Sequence, residues 1–449
     1  MNTDTRSAPT RVLVITGDVL GAKMAGPAIR AWEMSKALHA SGCEVRLVST
    51  QASTLTHDDF TVAEVDERAL KGHVEWCEVL VFQGYTLSTF PWIRKSGAII
   101  VSDIYDPMHL EYLEQGKDVS PRVRSKQTEY ISEVLNVQLE LADYLLCASE
   151  KQRDFWLGQL AAVSRINPLT YDRDPSLRSL IDIAPFGISN TPAAQTRHGI
   201  KDEVPGIAVD DEVILWGGGV YNWFDPLTLI RAVDKLVHTH PKLRLYFLGV
   251  KHPNPDVPEM RMAAETMQLA DELGLTGTHV FFNTEWVDYD DRVNYLLDAD
   301  IGVSTHFEHV ETACSFRTRI LDYLWAGLPI VSTDGDTFAE LIRSHNLGEV
   351  VPPEDVDALA AAIERTLYAP DRAVMSDRVR EFGQTMTWDR TLRNLTEFCA
   401  APIMAGDRTR RSTPVRKEVL RAFGRLRHTI FWRRTENLRQ LIRKIVPLR

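Results

Sequence analysis

Cysteine is scarce in this 449-residue chain: Cys43, Cys77, Cys147, Cys314 and Cys399, an odd number with no C-x-x-C pair. That usage excludes a disulfide framework and a zinc ribbon, and it fits a reducing cytoplasm. Long apolar runs are also missing. No uninterrupted stretch approaches the ~18 residues that a membrane-spanning helix needs. The start, MNTDTRSAPTRVLVITG, has an early acid and only a strand-length apolar run, unlike a secretory leader. Glycine (25) and proline (22) stay near ordinary usage, which excludes collagen-like and Pro/Gly-dominated disordered classes. Positive charge is lacking in the body of the chain. Residues 406–449 hold 14 Lys/Arg against 3 Asp/Glu, which leaves 37 against 59, a net −22, in the 405 residues before them. So acidic a body offers no positive surface to a phosphate backbone, and nucleic acid is not an expected partner.

What is present is a repeated strand–helix grammar. Apolar runs recur at RVLVIT (11–16), EVRLVS (44–49), VLVFQG (79–84), AIIVSDI (98–104), YLLCAS (144–149) and IAPFGI (183–188). Most are continuously apolar, as strands buried on both faces are. A helical pattern, AIRAWEMSKALHASG (28–42), follows the first. After a polar stretch at 189–211 the grammar restarts with EVILWGG (212–218), RLYFLGV (244–250), HVFFNTEWV (279–287), IGVSTH (301–306) and PIVST (329–333), with helices near 226–238, 258–273 and 317–326. The expected fold class is α/β, with two doubly wound Rossmann-like domains facing each other across a cleft. Beyond residue 406, Val415, Val419, Phe423, Leu426 and Ile430, then Leu438, Leu441, Ile442 and Ile445, recur at helical steps, giving a basic amphipathic tail. Such a tail attracts an anionic membrane surface, or it packs on the acidic body or a partner.

Three stretches carry chemistry. In GDVLGAKMAGPAIRAW (17–32), Gly21 and Gly26 allow close backbone approach and the following helix offers an N-terminus to an anion. The glycines are spaced too widely for the dinucleotide fingerprint G-x-G-x-x-G, which weighs against an oxidoreductase. Gly217, Gly218 and Gly219 follow a strand and leave room for a phosphate or sugar against the main chain; a plain turn is the alternative for both stretches. In HFEHVETACSFRTRILDYLWAGLPIVSTDGD (306–336), Arg317 and Arg319 offer donor forks and fixed charge to a diphosphate, and Asp322 can accept from a ribose diol. A solvated, salt-bridged helix start is the competing reading. Asp334-Gly335-Asp336 spells D-x-D but follows a strand as a loop, so no metal is expected there. The DYDD run (288–291) reads as helix N-terminal capping.

GPAIRAWEMSKALHASGCEVRLVS and SFRTRILDYLWAGLPIVSTDGD resemble the first-helix region and the nucleotide-sugar segment of retaining glycosyltransferases of family 4, which have the GT-B fold. PFGI (185–188) resembles the end of their first domain, and TWDRTLRNLTEF (387–398) their closing helix. The resemblance implies an acceptor-side domain at 10–205, a nucleotide-sugar domain at 206–386, a closing helix at 387–402 and the tail at 406–449. It implies transfer from a nucleotide-diphosphate sugar to a glycan or lipid-linked acceptor with retention of configuration. Neither metal nor other cofactor is implied. The protein would be cytoplasmic, at the inner face of the cell membrane if the tail binds lipid.

The family's motif has two glutamates separated by seven residues. Asp322 takes the place of the second, and Cys314 stands where the first would be, so Glu311 or Glu308 replaces it. The family's Arg and Lys after the second domain's first strand are absent from GGGVYNWFDP, which hands the diphosphate to Arg317 and Arg319, with Lys251 or His252 in reserve. Site residues implied are therefore Glu311, His109 and Asp106 for catalysis, and Gly26, Gly217, Gly218, Gly219, Arg317, Arg319, Asp322 and Asp336 for the donor. Asp103, Asp106 and His109 share the end of one strand, though a helix-start surface role suits His109 equally. The altered motif also leaves room for a second reading, a silent sugar-nucleotide-binding subunit that supports a partner enzyme.

Overall fold

The computed structural model describes residues 8–250 and 260–408. Seven strands, β1 (Arg11–Thr16), β2 (Glu44–Ser49), β3 (Thr61–Glu64), β4 (Val79–Gln83), β5 (Ile99–Asp103), β6 (Tyr144–Cys147) and β7 (Ile181–Ile183), form a sheet in the order β3-β2-β1-β4-β5-β6-β7. Six more, β8 (Glu212–Trp216), β9 (Leu243–Phe247), β10 (Val280–Phe282), β11 (Ile301–Ser304), β12 (Ile330–Thr333) and β13 (Gly348–Val351), form a second sheet, β10-β9-β8-β11-β12-β13. All neighbouring strands run parallel, and a helix lies in every crossover except that from β2 to β3. These are the two parallel-sheet α/β domains that the sequence leads one to expect.

Continuous apolarity of the strands has a direct cause. In β1, Val12 and Val14 face the core that holds Ala28, Met34 and Leu38 of the first helix (Gly26–Ala40), while Leu13 and Ile15 face the other core, with Leu70 and Val74 of the helix Glu67–Trp76. In β8, Val213 and Leu215 face one core and Ile214 and Trp216 the other. Strand order reverses beside β1 and beside β8, so crevices open beyond the carboxyl ends of both.

Several strand boundaries differ from the sequence reading. IAPFGI is not a strand: β7 stops at Ile183, since Pro185 has no N–H to donate and the Ala184 and Pro185 carbonyls are taken by Arg30. HVFFNTEWV ends as a strand at Phe282, where Asn283 turns the chain by accepting from the Glu285 N–H and donating to Leu248 O. The short strands β3 and β13 carry too little apolar pattern to be read from sequence. The tail from residue 409 onward, with its candidate amphipathic helices, lies outside the described residues, as do Lys251 and His252. Among the described residues no helix is long and apolar enough to cross a membrane.

Near its end the chain returns to the first domain. Thr387 pairs with Ile188 in a parallel bridge, and two short helices follow, Trp388–Thr391 and Arg393–Ala400. Phe398 stacks on Tyr144 of β6 at 4.2 Å, and Asn394 donates to Ile183 O at 2.8 Å.

Arg30, fully buried in the first helix, is the polar centre of that domain. Its Nε and Nη2 donate to the Asp103 carboxylate at 2.5 and 2.9 Å, and its remaining donors reach Ala184 O (2.6 Å) and Pro185 O (3.0 Å). Gln83 donates to the same carboxylate. One guanidinium thus ties the first helix, β5 and the start of the linker. Arg30→Met should cost about 3–5 kcal/mol in urea unfolding, because it leaves a buried carboxylate uncompensated. The double variant Arg30→Met/Asp103→Leu should recover part of that loss.

Candidate active site

A cleft of about 430 Å3 lies where the crevices of the two sheets meet. The first domain lines it with Met24, Gly26, Tyr105, Asp106 and Glu111; the second with Gly217–Gly219, Tyr221, Arg292, Arg317, Arg319 and Asp322. Contacts between the domains frame it. Gln152, wholly buried, donates through Nε2 to Tyr105 O and to Cys314 O, both at 2.8 Å, and the Tyr289 N–H donates to Ala22 O at 3.0 Å.

The glycine turn after β8 is held by Tyr323. Its hydroxyl accepts from Gly217 N–H at 2.8 Å and lies 2.9 and 3.0 Å from the Val303 and Leu215 carbonyls, to one of which it donates. The ring fits only because residue 302 is glycine: a Cβ there would stand 2.5 Å from it. Gly218 then takes φ +85°, a conformation that L side chains rarely adopt. Gly219 O accepts from Arg319 Nη2 at 2.8 Å and from the Trp216 indole at 3.3 Å.

Arg319 is the exceptional charge of the cleft. It is 7% exposed, lies over the rings of Phe224 (4.0 Å) and Trp216 (4.2 Å), and forms no ion pair with any described carboxylate. Its Nη1 has no hydrogen-bond partner. Burial lowers its pKa to about 10, which still leaves it cationic at neutral pH.

Other residues expected to act at the site already have partners within the protein. Arg317 borders the cleft, but its fork is occupied: Nη1 and Nη2 donate to Glu311 at 2.9 and 2.8 Å, and Nη2 also meets Thr312 Oγ1 at 3.2 Å. Glu311, 1% exposed, does not line the cleft and serves as counter-ion to Arg317; Glu308 is exposed. Asp322 lines the cleft and is paired with Arg292 Nε at 3.2 Å. Asp336 lies outside the lining and caps the helix Thr337–Ser344, accepting from the Phe338 and Ala339 N–H groups at 2.9 Å. Its neighbour Asp334 is paired with Arg343. Among the described residues no group of three or more His, Cys, Asp or Glu side chains is arranged to hold a metal ion.

Asp106 stands in the cleft and His109 does not. His109 stacks on Phe155 with ring centroids 5.5 Å apart, and burial lowers its pKa to about 4, so it is neutral at pH 7. Two residues further along the same helix (Met108–Gln115), Glu111 reaches the lining beside Asp106. Burial raises Asp106 to about 6 and Glu111 well above the carboxylate range, with repulsion from Glu311 adding to both. In the sequence Glu111 carries a weaker signal than the histidine: only its i, i+5 spacing from Asp106 across a helix start marks it. Arg292 is a second lining residue that the sequence does not single out. The run before it reads as capping, yet Asp291 makes no side-chain cap and pairs with Arg197, while Arg292 lies between the rings of Tyr289 (3.8 Å) and Trp325 (4.8 Å).

Residues 211–368 match the family model described as Glycosyl transferases group 1. D-inositol 3-phosphate glycosyltransferase of Saccharomonospora viridis is 28% identical over 188 residues, 41% of this chain and 42% of that protein. The chain therefore matches about two fifths of that relative's length. Among solved structures, sucrose-phosphate synthase from Thermosynechococcus elongatus superposes with a TM-score of 0.63 at 17% identity, covering 87% of this chain and 98% of its own. Anabaena HepE in complex with UDP and glucose gives 0.59 at 14% identity, covering 87% and 99%. The fold is thus that of GT-B glycosyltransferases.

Tyr323→Phe leaves the Gly217 N–H without its acceptor, and should lower stability by about 1–3 kcal/mol in denaturant unfolding. His109 has a folded pKa below its unfolded one, so it subtracts stability as pH falls from about 6.5 through about 4. His109→Gln should therefore move the acid-unfolding midpoint to lower pH.

Proposed function

We propose that this chain is a glycosyltransferase that moves a sugar from a nucleotide-diphosphate sugar to the hydroxyl of a glycan or lipid-linked acceptor, with retention of anomeric configuration and without a metal ion. Arg319 carries the reading. A buried guanidinium with no described carboxylate partner, an unused Nη1 and a place beside a glycine turn calls for an anionic ligand, because an uncompensated buried charge costs several kcal/mol. Breaking the bond from the anomeric carbon to the diphosphate oxygen puts negative charge on the leaving group, and a fixed guanidinium stabilises that charge without reorganisation. The match of the second domain to a glycosyltransferase family model, and the likeness of the fold to a protein solved with UDP, support the same assignment.

In this reading the diphosphate lies against Gly217–Gly219 and Arg319, and Arg317 adds field although its charge is shared with Glu311. The acceptor enters along Gly26 and residues 105–111. Asp322 and Arg292, paired with each other, flank the donor side. The basic tail, where it meets anionic lipid at the inner face of the membrane, would bring a lipid-linked acceptor to the cleft.

Arg319→Leu should weaken UDP or GDP binding by about tenfold to a hundredfold, the scale of a charge-assisted hydrogen bond, in calorimetric titration. Arg317→Leu should act mainly on stability, since it strands Glu311. Unchanged nucleotide affinity in Arg319→Leu would remove the diphosphate from this place. The anomeric configuration of the first-formed product, read by NMR, tests retention.

A further inference from the structure

The cleft has two walls of opposite electrical character. Every described cation that borders it, Arg292, Arg317 and Arg319, belongs to the second domain. The first domain's wall presents the Asp106 and Glu111 carboxyls, the Tyr105 ring, Gln115, Met24 and Phe186, and no Lys, Arg or His among its described lining residues. Lys23, one residue before Met24, is exposed and outside the lining, and Arg30, beneath this wall, is consumed by Asp103 and two carbonyls.

An anion therefore has one place to go. The buried, unpartnered Nη1 of Arg319 draws it to the second domain's wall, while the Asp106 and Glu111 carboxyls, with no described cation in their own wall, disfavour a second anion there. Two carboxyls side by side in one wall accept from hydroxyls, and either one also donates when it is protonated. We propose that the acceptor group entering this cleft is an uncharged sugar or polyol bound through its hydroxyls by Asp106 and Glu111, and that sugar phosphates are rejected there by like charge. This rests on the glycosyltransferase reading, and it deepens that reading by naming the acceptor class.

The test uses the full chain saturated with UDP or GDP and titrates methyl hexosides against the corresponding hexose 6-phosphates by calorimetry. At least one uncharged hexoside should bind, and its 6-phosphate should bind at least tenfold more weakly. In the Asp106→Asn/Glu111→Gln variant that gap should shrink severalfold, chiefly by improved binding of the phosphate; a merely structural role would weaken both ligands alike. Equal or tighter binding of the phosphates, a gap that survives the double substitution, or binding of no uncharged sugar would overturn the inference. If no nucleoside diphosphate binds at the start, it is the glycosyltransferase reading that fails; if one binds and the acceptor result is reversed, only the acceptor class does.

Discussion

The Arg30–Asp103 pair is the constraint on which the cleft depends. Both side chains are excluded from water, so neither is tolerable without the other, and the remaining guanidinium donors satisfy carbonyls where the chain leaves the first sheet. The consequence is positional. Arg30 lies one turn past the Gly26 helix start, and Asp103 ends the strand that runs into Tyr105 and Asp106. Two separate pieces of the first domain's wall are thereby fixed relative to each other by a single bidentate contact, with the Tyr105 ring 4.8 Å from the guanidinium.

On the opposite wall, three arginines within one cleft are in different electrostatic states. Arg317 is matched by Glu311 and Arg292 by Asp322; Arg319 is matched by nothing described. The aromatic faces of Trp216 and Phe224 tolerate its charge without neutralising it. Pairing settles which arginine is available for a ligand, and pairing depends on where a loop folds back.

This is also why the sequence was informative about the fold and less so about the site. Uninterrupted apolar runs announce strands buried on both sides, and β1, β4, β5 and β8 fall where those runs do. Runs that contain proline, or an asparagine able to bond its own backbone, were overread, as at 184–188 and 283–287. Gly26, Gly217–Gly219, Asp106, Arg317, Arg319 and Asp322 border the cleft, because glycine turns and charged helix starts at strand ends are local features. Glu311, His109 and Asp336 do not, because each is claimed by a neighbour that spacing alone does not reveal: an arginine, a phenylalanine ring and the first N–H groups of a helix.

The return of residues 387–400 to the first domain has a bearing on how the protein is made. The stacking partner of Tyr144 and the donor to Ile183 O both come from a stretch that leaves the ribosome after the whole second sheet. Until then, the early-synthesised half carries an unsheltered aromatic face. Its completion waits for the helices Trp388–Thr391 and Arg393–Ala400, so the first half is finished only after the second sheet has been made.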